Sequence, residues 1–450
     1  MTVNDTQIEM LRKLLRHGAT ERVTRILERF RSAEIAEVFG YLSPAEQRQL
    51  MDVLFAQGKL ANILLELPEG VLVEVLARTE SARIGTLLND MAPDDASFAV
   101  GLLDEERVDE ILSHVAPSQR ERIEHLRTYP AESAGSLMTS QMVVLGEELT
   151  VEQAIAQIRE IGEDSEFIFY VYVTNESGIF LGVVPIRRLV LARPQRPLHE
   201  IMITNPVAVS ATDDQEIVAE FTARYNLLAV PVVDESFRLL GVITVDDVID
   251  VLQAEATEDM YLMQGLSDED RVYAPVSRSV RKRFPWMVLN LGTAFLASFV
   301  IGLFEASISR VVILATFMPI VAGMGGNGGT QTLTVVTRAI ALGELSFAEG
   351  KVAILKQLSI GLINGFGVGL LTGAVAWFWK GNAYLGLVLF LALMVNLTIA
   401  GLVGAAVPLV LKALNLDPAL GGGVIVTTFT DVCGFMVFLG LATVFIQHLV

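Results

Sequence analysis

Between Phe284 and Val450 the chain holds only five acids and six bases, spread thinly among five long apolar stretches. Inside a bilayer the backbone polar groups of such stretches find no water, so they must pair within a helix or a closed barrel. The stretches lie at 285–304, 311–337, 352–379, 384–411 and 419–446. Each has the roughly 20 residues that a helix needs to cross a hydrocarbon core. Residues 284–450 are therefore expected to form an all-α polytopic membrane domain of five transmembrane helices.

Basic residues orient it. Arg278, Arg281, Lys282 and Arg283 precede the first span, Arg338, Lys351 and Lys356 flank the loop between the second and third, and Lys412 follows the fourth. Arg310 and Lys380 are alone on the other side. The positive-inside rule then puts the amino end in the cytoplasm and the carboxyl end outside. Trp377 and Trp379, beside Lys380, read as an outer interface anchor.

Asp431 is the one acid in the last apolar stretch, within Thr427-Thr428-Phe429-Thr430-Asp431-Val432-Cys433-Gly434. A carboxylate at that depth is costly, and such residues mark ion pathways, relays or buried pairs. No Lys or Arg stands at mid-span in any stretch. Three readings stay open: facing a pore, pairing with a base, or relaying a proton. Thr427 lies one turn back on the same face, and oxygen-only surroundings suit a hard cation rather than zinc or copper. The second stretch carries a further polar feature, Gly323-Met324-Gly325-Gly326-Asn327-Gly328-Gly329-Thr330-Gln331. Each glycine costs about 1 kcal/mol in a helix relative to alanine, so an irregular backbone lining a wet cavity is expected here. Gly325, Asn327, Gly328, Thr330 and Gln331 are its pore-lining candidates. The competing reading is close packing of helices through small residues, which also accounts for Gly361, Gly365 and Gly369 in the third stretch and for Asn396, Gly401, Gly404 and Pro408 in the fourth.

Residues 1–283 hold 47 acids against 27 bases. Such a surface repels nucleic acid and attracts cations. The single cysteine, Cys433, allows no disulfide within the chain, which fits a reducing compartment for the soluble part. The opening MTVNDTQIEM lacks a basic and apolar signal pattern.

Residues 1–129 read as short helices, with apolar residues at three- and four-residue spacing, as in Ile8-Leu11-Leu14-Leu15 and Val23-Ile26-Leu27-Phe30. Pro44, Pro68, Pro93 and Pro117 each open a new unit. The recurrence predicts an all-α superhelical domain.

A different unit occurs twice in residues 130–254. Leu137-Met138-Thr139 leads to a helical Val151-Ile155-Ile158, a strand at Ile168–Val173 and then Leu181-Gly182-Val183-Val184. Ile201-Met202-Ile203 leads through Ile217 and Phe221 to Leu228–Val233 and Leu240-Gly241-Val242-Ile243. The pair resembles tandem α/β CBS modules, at 130–195 and 196–254. A run of acids follows from Asp246 to Asp259, on a helix expected to lead through a linker (255–283) to the membrane. Its bland reading is a solvated acidic face.

Three stretches, 244–260 (TVDDVIDVLQAEATEDM), 318–332 (MPIVAGMGGNGGTQT) and 417–435 (DPALGGGVIVTTFTDVCGF), make the chain similar to the MgtE family of magnesium channels and transporters. The resemblance covers almost the whole chain. It implies a homodimer in the cytoplasmic membrane with a pore between two membrane bundles, so that Asp431 occurs twice about the two-fold axis. It further implies a hydrated Mg²⁺ held near Asp431, Thr427 and the Gly423 carbonyl. A plug helix near 247–265 would close the pore when cytosolic Mg²⁺ bridges Asp94, Asp95, Asp214, Glu216, Asp247, Asp250, Glu255, Glu258, Asp259 and Asp417. Some CBS pairs bind adenine nucleotides through a Ser/Thr and an Asp after the last strand. The second copy keeps Thr244 and Asp247, but the first has Pro185 and Arg188. Tyr170 remains to stack on adenine and Arg187 to meet a phosphate, while Arg188 cannot accept from a ribose hydroxyl, so an ATP site is in doubt. Asn226 stands where the family can carry an acid.

The expected activity is a Mg²⁺-selective channel for uptake, shut by Mg²⁺ from inside. The alternative is a divalent cation carrier coupled to H⁺ or Na⁺, against which the single mid-membrane acid weighs. An enzyme is not expected, since no nucleophile motif, phosphate loop or His/Cys/Asp cluster is visible.

Overall fold

The computed structural model describes residues 5–161, 168–266, 276–345 and 349–449. Two compact units divide the chain, Met1–Leu252 and Gln253–Val450.

The first unit opens with ten short helices: α1 (Asp5–Arg16), α2 (Thr20–Leu27), α3 (Ser32–Phe39), α4 (Pro44–Ala56), α5 (Leu60–Leu65), α6 (Glu69–Arg78), α7 (Ser81–Asp90), α8 (Pro93–Gly101), α9 (Glu105–Leu112) and α10 (Pro117–Leu126). Prolines sit where the sequence puts helix starts. Pro44, Pro93 and Pro117 occupy first turns and Pro68 precedes α6, positions where a missing N–H costs nothing. Ser43 closes α4 with a capping box: its N–H donates to Glu46 at 2.8 Å and its hydroxyl accepts from the Glu46 N–H. Helices pack on the one two further along, α3 on α5, α5 on α7, α7 on α9 and α8 on α10. This is the stacking of a superhelix, around a single core that includes Phe39, Leu50, Leu54, Ile63, Leu72 and Ile84.

The repeat follows. Its first copy comprises α11 (Ala134–Leu137), β1 (Val144–Gly146), α12 (Val151–Ile161), β2 (Tyr170–Thr174), β3 (Phe180–Pro185) and α13 (Ile186–Leu191). The second comprises α14 (Leu198–Ile201), β4 (Ile203–Thr204), β5 (Val209–Ser210), α15 (Gln215–Tyr225), β6 (Ala229–Val233), β7 (Leu239–Thr244) and α16 (Val245–Met263). Both sheets pair parallel and then antiparallel, β1-β2-β3 and β5-β6-β7, with Val173 opposite Gly182 and Val232 opposite Gly241. The copies exchange their leading segments. Ile203 pairs with Val183 of the first copy, and Thr139 exchanges hydrogen bonds of 2.8 and 3.0 Å with Val242 of the second. The L-G-V glycines make room for this: a Cβ on Gly182 would meet the Ile203 carbonyl, and one on Gly241 the Thr139 carbonyl and Met138. The recurring methionine of the repeat therefore packs on the other copy's glycine.

The second unit takes up α16 at Gln253. The linker region 255–283 lies outside the described residues at 267–275. Then come α17 (Val276–Gly302), α18 (Glu305–Arg310), α19 (Ile313–Ala341), α20 (Gly350–Lys380), α21 (Ala383–Ala413), α22 (Gly422–Val444) and α23 (Ile446–Leu449). Four helices, α17, α20, α21 and α22, are long and apolar enough to cross a membrane. α19 has the length, 29 residues, but its glycines, Pro319, Asn327 and Gln331 dilute its apolar character. α17 starts at Val276, ahead of the expected span, and carries Arg278, Arg281, Lys282 and Arg283 in its first turns.

The expected irregular backbone in the second stretch does not occur. α19 is continuous from Ile313 to Ala341. Its glycines are spent on packing: a Cβ on Gly325 would overlap Asn396, one on Gly328 Leu397 and one on Gly329 Val426. Tertiary contact outweighs the roughly 1 kcal/mol that each glycine costs a helix, because it lets three helices approach closely in a medium where dispersion and backbone proximity drive association. The same logic joins α20 to α21, where Gly361, Gly365, Gly369 and Gly373 lie directly against the backbone of Leu397, Met394, Phe390 and Gly386.

Candidate functional site

Asp431 lies half-buried on α22, and among the described residues no ion pair involves it. One turn back, the Thr427 hydroxyl donates to the Gly423 carbonyl at 2.9 Å and approaches that of Val424 at 3.1 Å. The lone pairs of Thr427 remain available as acceptors. Asp431, Thr427 and Gly423 thus form an oxygen row along one helix, spanning about 12 Å by the helical rise. Next to it runs the buried row of Val426, Thr430 and Gly434. Of the five candidates on α19, Asn327 and Gln331 are exposed one turn apart, Thr330 bonds the Gly326 carbonyl at 2.9 Å, and Gly325 and Gly328 face α21.

At the start of α22 stands the end of α16. The Gly421 N–H donates to the Leu262 carbonyl at 2.9 Å. A Cβ on Gly423 would come within 2.6 Å of the Met263 carbonyl. The Trp286 ring fills the space against both Gly265 and Gly421, whose φ angles of +68° and +60° favour glycine. A large residue at either glycine would strain the turn and displace the indole.

Each unit also holds a group of acids that act on one another. In the first unit Asp94 is nearly buried, with one carboxylate oxygen lacking a hydrogen-bond partner. Burial pushes its pKa up, with Asp246 adding to the rise. Asp247 accepts from the Thr244 hydroxyl at 2.8 Å. Burial, and then the charges of Asp94 and Asp246, push Asp247 up to about 7. Asp250 is raised by burial and by Asp246. In the second unit Asp259 is raised by burial and by Asp417, and Arg338 counters part of this. Asp417 is exposed and accepts from the Ala419 N–H at 2.6 Å.

The remaining acids are dispersed. Asp214 caps α15 by accepting from the Glu216 N–H at 2.9 Å, a helix-start role that sequence alone suggests equally well. Asp95 opens α8, and Glu255 and Glu258 are half-buried on α16. Asp246, omitted from the expected set, turns out to act on Asp94, Asp247 and Asp250. Its position at the first turn of α16 was the available signal.

Among the described residues no three His, Cys, Asp or Glu side chains stand close enough to hold a metal ion by themselves. Pairs do. Mg²⁺ keeps several waters and takes one or two carboxylates, so Asp94 with Asp247, and Asp259 with Asp417, are donor sets of the right size and charge. The unpaired oxygen of Asp94 is an acceptor that a hydrated cation would satisfy. A nucleotide fits less well. Tyr170 and Thr244 line a cavity of about 20 Å³ with Phe169, Tyr172 and Val242, which is room for one water. The Tyr170 hydroxyl accepts from the Leu228 N–H at 3.4 Å, and Arg187 is exposed on α13.

An apolar helical bundle, a CBS pair and a helical superhelix on one chain are the architecture of a membrane protein with attached non-membrane domains, and comparison with known proteins places it in a family of transporters. Residues 318–441 match the MgtE family model, described as a divalent cation transporter. Residues 30–132 match the MgtE intracellular N domain, and 134–194 and 198–254 the CBS domain. The magnesium transporter MgtE of Bacillus subtilis (strain 168) is 32% identical over 453 aligned residues, covering 100% of both chains. That of Thermus thermophilus is 33% identical over 447, covering 97% of this chain and 98% of its own. The crystal structure of the cytosolic domain of the Mg²⁺ channel MgtE in complex with ATP superposes with a TM-score of 0.52 at 31% identity, covering 54% of this chain and 99% of its own. The chain belongs to the MgtE family.

Proposed function

We propose that this protein is a Mg²⁺ channel of the cytoplasmic membrane, a homodimer that admits Mg²⁺ and is closed by Mg²⁺ on its acidic, cytosolic side. The observation that carries the pore assignment is Asp431: a lone, half-buried carboxylate with no basic partner among the described residues and with Thr427 one turn away. A permeant cation is the counter-charge left to it. Mg²⁺ sheds water reluctantly, so the carboxylate acts on the ion through its hydration shell, with Thr427 and Gly423 supplying further oxygens along the helix. Two copies about a two-fold axis would double the charge at one depth.

The closing step follows from the acid pairs. Without Mg²⁺, Asp94 and Asp247 repel each other, as do Asp259 and Asp417. A divalent cation between the members of a pair removes that repulsion and favours whichever arrangement brings them together. α16 carries the Asp247 end of one pair and Asp259 of the other, and its last carbonyls meet α22 at Gly421 and Gly423. Holding α16 there covers the inner end of the Asp431 row. Mg²⁺ is the regulatory ligand in this reading, since the acid pairs are the donors it would bridge.

Electrical recording from the full-length protein in planar bilayers tests the proposal. Currents should follow the Mg²⁺ electrochemical gradient and fall as Mg²⁺ rises on the side bearing residues 1–283. Electroneutral flux tied to a counter-gradient of H⁺ or Na⁺ would establish a carrier instead.

A further inference from the structure

Asn396 is completely buried in the middle of α21. Its side-chain N–H donates to the Val321 carbonyl of α19 at 2.9 Å. That bond fixes which way the amide points, since a carbonyl only accepts. Its own oxygen has no hydrogen-bond partner, a costly state for a polar atom in an apolar interior. Two glycines on two other helices make the space. A Cβ on Gly325 of α19 would overlap the amide, and one on Gly434 of α22 would sit 2.6–3.0 Å from its atoms. One side chain from α21 is thus wedged between α19 and α22, and only the absence of two side chains admits it.

Gly434 belongs to the buried row of α22 that includes Thr430, and Asp431, next to Thr430 in the chain, ends the neighbouring row. Residues three apart on a helix adjoin. The amide therefore bears on α22 within one turn of Asp431, and the bond to Val321 anchors it to α19. An apolar side chain of similar size would fill the space without an orphaned oxygen, but it would forfeit that anchor. What the amide supplies is a fixed rotation of α22 against α19.

We propose that Asn396 is a positioning residue for ion passage: it sets the rotation of α22, and so the direction in which Asp431 presents its carboxylate, and through this the discrimination between divalent cations. The inference rests on the reading of Asp431 as the ion site. A carboxylate that meets an ion through its water shell discriminates by distance, so a small rotation changes the preference between Mg²⁺ and a cation such as Ni²⁺ that loses water differently.

The test uses the full-length protein in liposomes, with Mg²⁺ and Ni²⁺ influx measured separately for Asn396→Ala, Gly434→Ala and the double variant, and with thermal melting of each in detergent. The expected result is that in either single variant Mg²⁺ influx falls roughly tenfold and the Mg²⁺ to Ni²⁺ ratio moves by about threefold or more. In the double variant the new methyl at 434 takes up vacated space, so melting recovers while the ratio stays shifted. A ratio equal to that of the unsubstituted protein in every variant that folds, whatever the influx, would overturn the inference and leave Asn396 as packing. Should neither single variant fold, the ratio in the double variant decides alone. Asp431→Asn is measured in parallel: full Mg²⁺ influx there removes the ion-site reading itself, whereas lost influx there with an unshifted ratio in the Asn396 variants removes only the present inference.

Discussion

α16 spreads Asp246, Asp247, Asp250, Glu255, Glu258 and Asp259 over 19 residues, whereas α22 holds Asp431 alone in 23. Crowded acids face one another, and Asp247 and Asp250 feel Asp246 directly. Their cost varies with what neutralises them, which suits a sensor of a dissolved cation. Asp431 stands without an ion pair among the described residues, so under the proposed function its counter-charge is an ion that comes and goes. Identical chemistry thus stands in two different settings, and under the proposed function it would serve a gate in one helix and a passage in the other.

Several substitutions would break this contrast. Asp431→Ala has the largest expected effect: Mg²⁺ uptake into a strain dependent on it should drop to background while the protein still reaches the membrane, and normal growth rescue would remove α22 from the pathway. Replacing Glu258 and Asp259 by Gln and Asn should keep transport running at high internal Mg²⁺, raising the half-inhibiting concentration roughly tenfold. Unchanged inhibition would deny α16 the sensing role. Trp286→Ala is expected to act in the same direction but less, by about threefold, because it loosens the seat of α16 at Gly265 and Gly421 without removing charge. Maximal influx at low Mg²⁺ should not change, and a lower maximum would place Trp286 in the permeation path instead.

The smallest effect sharpens the comparison through pH. An ordinary aspartate titrates near 3.9, and Asp247 is pushed up to about 7. Between those values the folded protein binds more protons than the unfolded one, so in Mg²⁺-free buffer this group lowers stability as pH climbs from about 4 to 7, with no further change above. Mg²⁺ should therefore raise the melting temperature more at pH 8 than at pH 6. Asp247→Asn should flatten that dependence, and a Mg²⁺ effect independent of pH would separate Asp247 from the ion.

Much of the fold is legible in residue order because its rules are local. Pro44, Pro93 and Pro117 mark helix starts whatever surrounds them, and alternating strands around Leu-Gly-Val reveal the repeat. The role of the glycines of α19 is not legible in this way, for the opposite reason. Propensity says that Gly325, Gly328 and Gly329 weaken a helix, and it cannot see Asn396, Leu397 and Val426 filling the space they leave. The candidate site divides the same way. Asp431 announces itself by its cost in an apolar run, but the influence of Asp246, the place of Trp286 and the wedge of Asn396 depend on neighbours distant in the chain.

By itself, the sequence determined the membrane domain, the duplicated α/β module, the acidic character of the first 283 residues and the isolation of Asp431, since each follows from composition and periodicity along the chain. Only the tertiary structure decided which acids meet, which glycines are spaces for other side chains, and that each CBS copy lends its leading segment to the other. Those are matters of approach between segments far apart in sequence, set by the packing of many side chains at once.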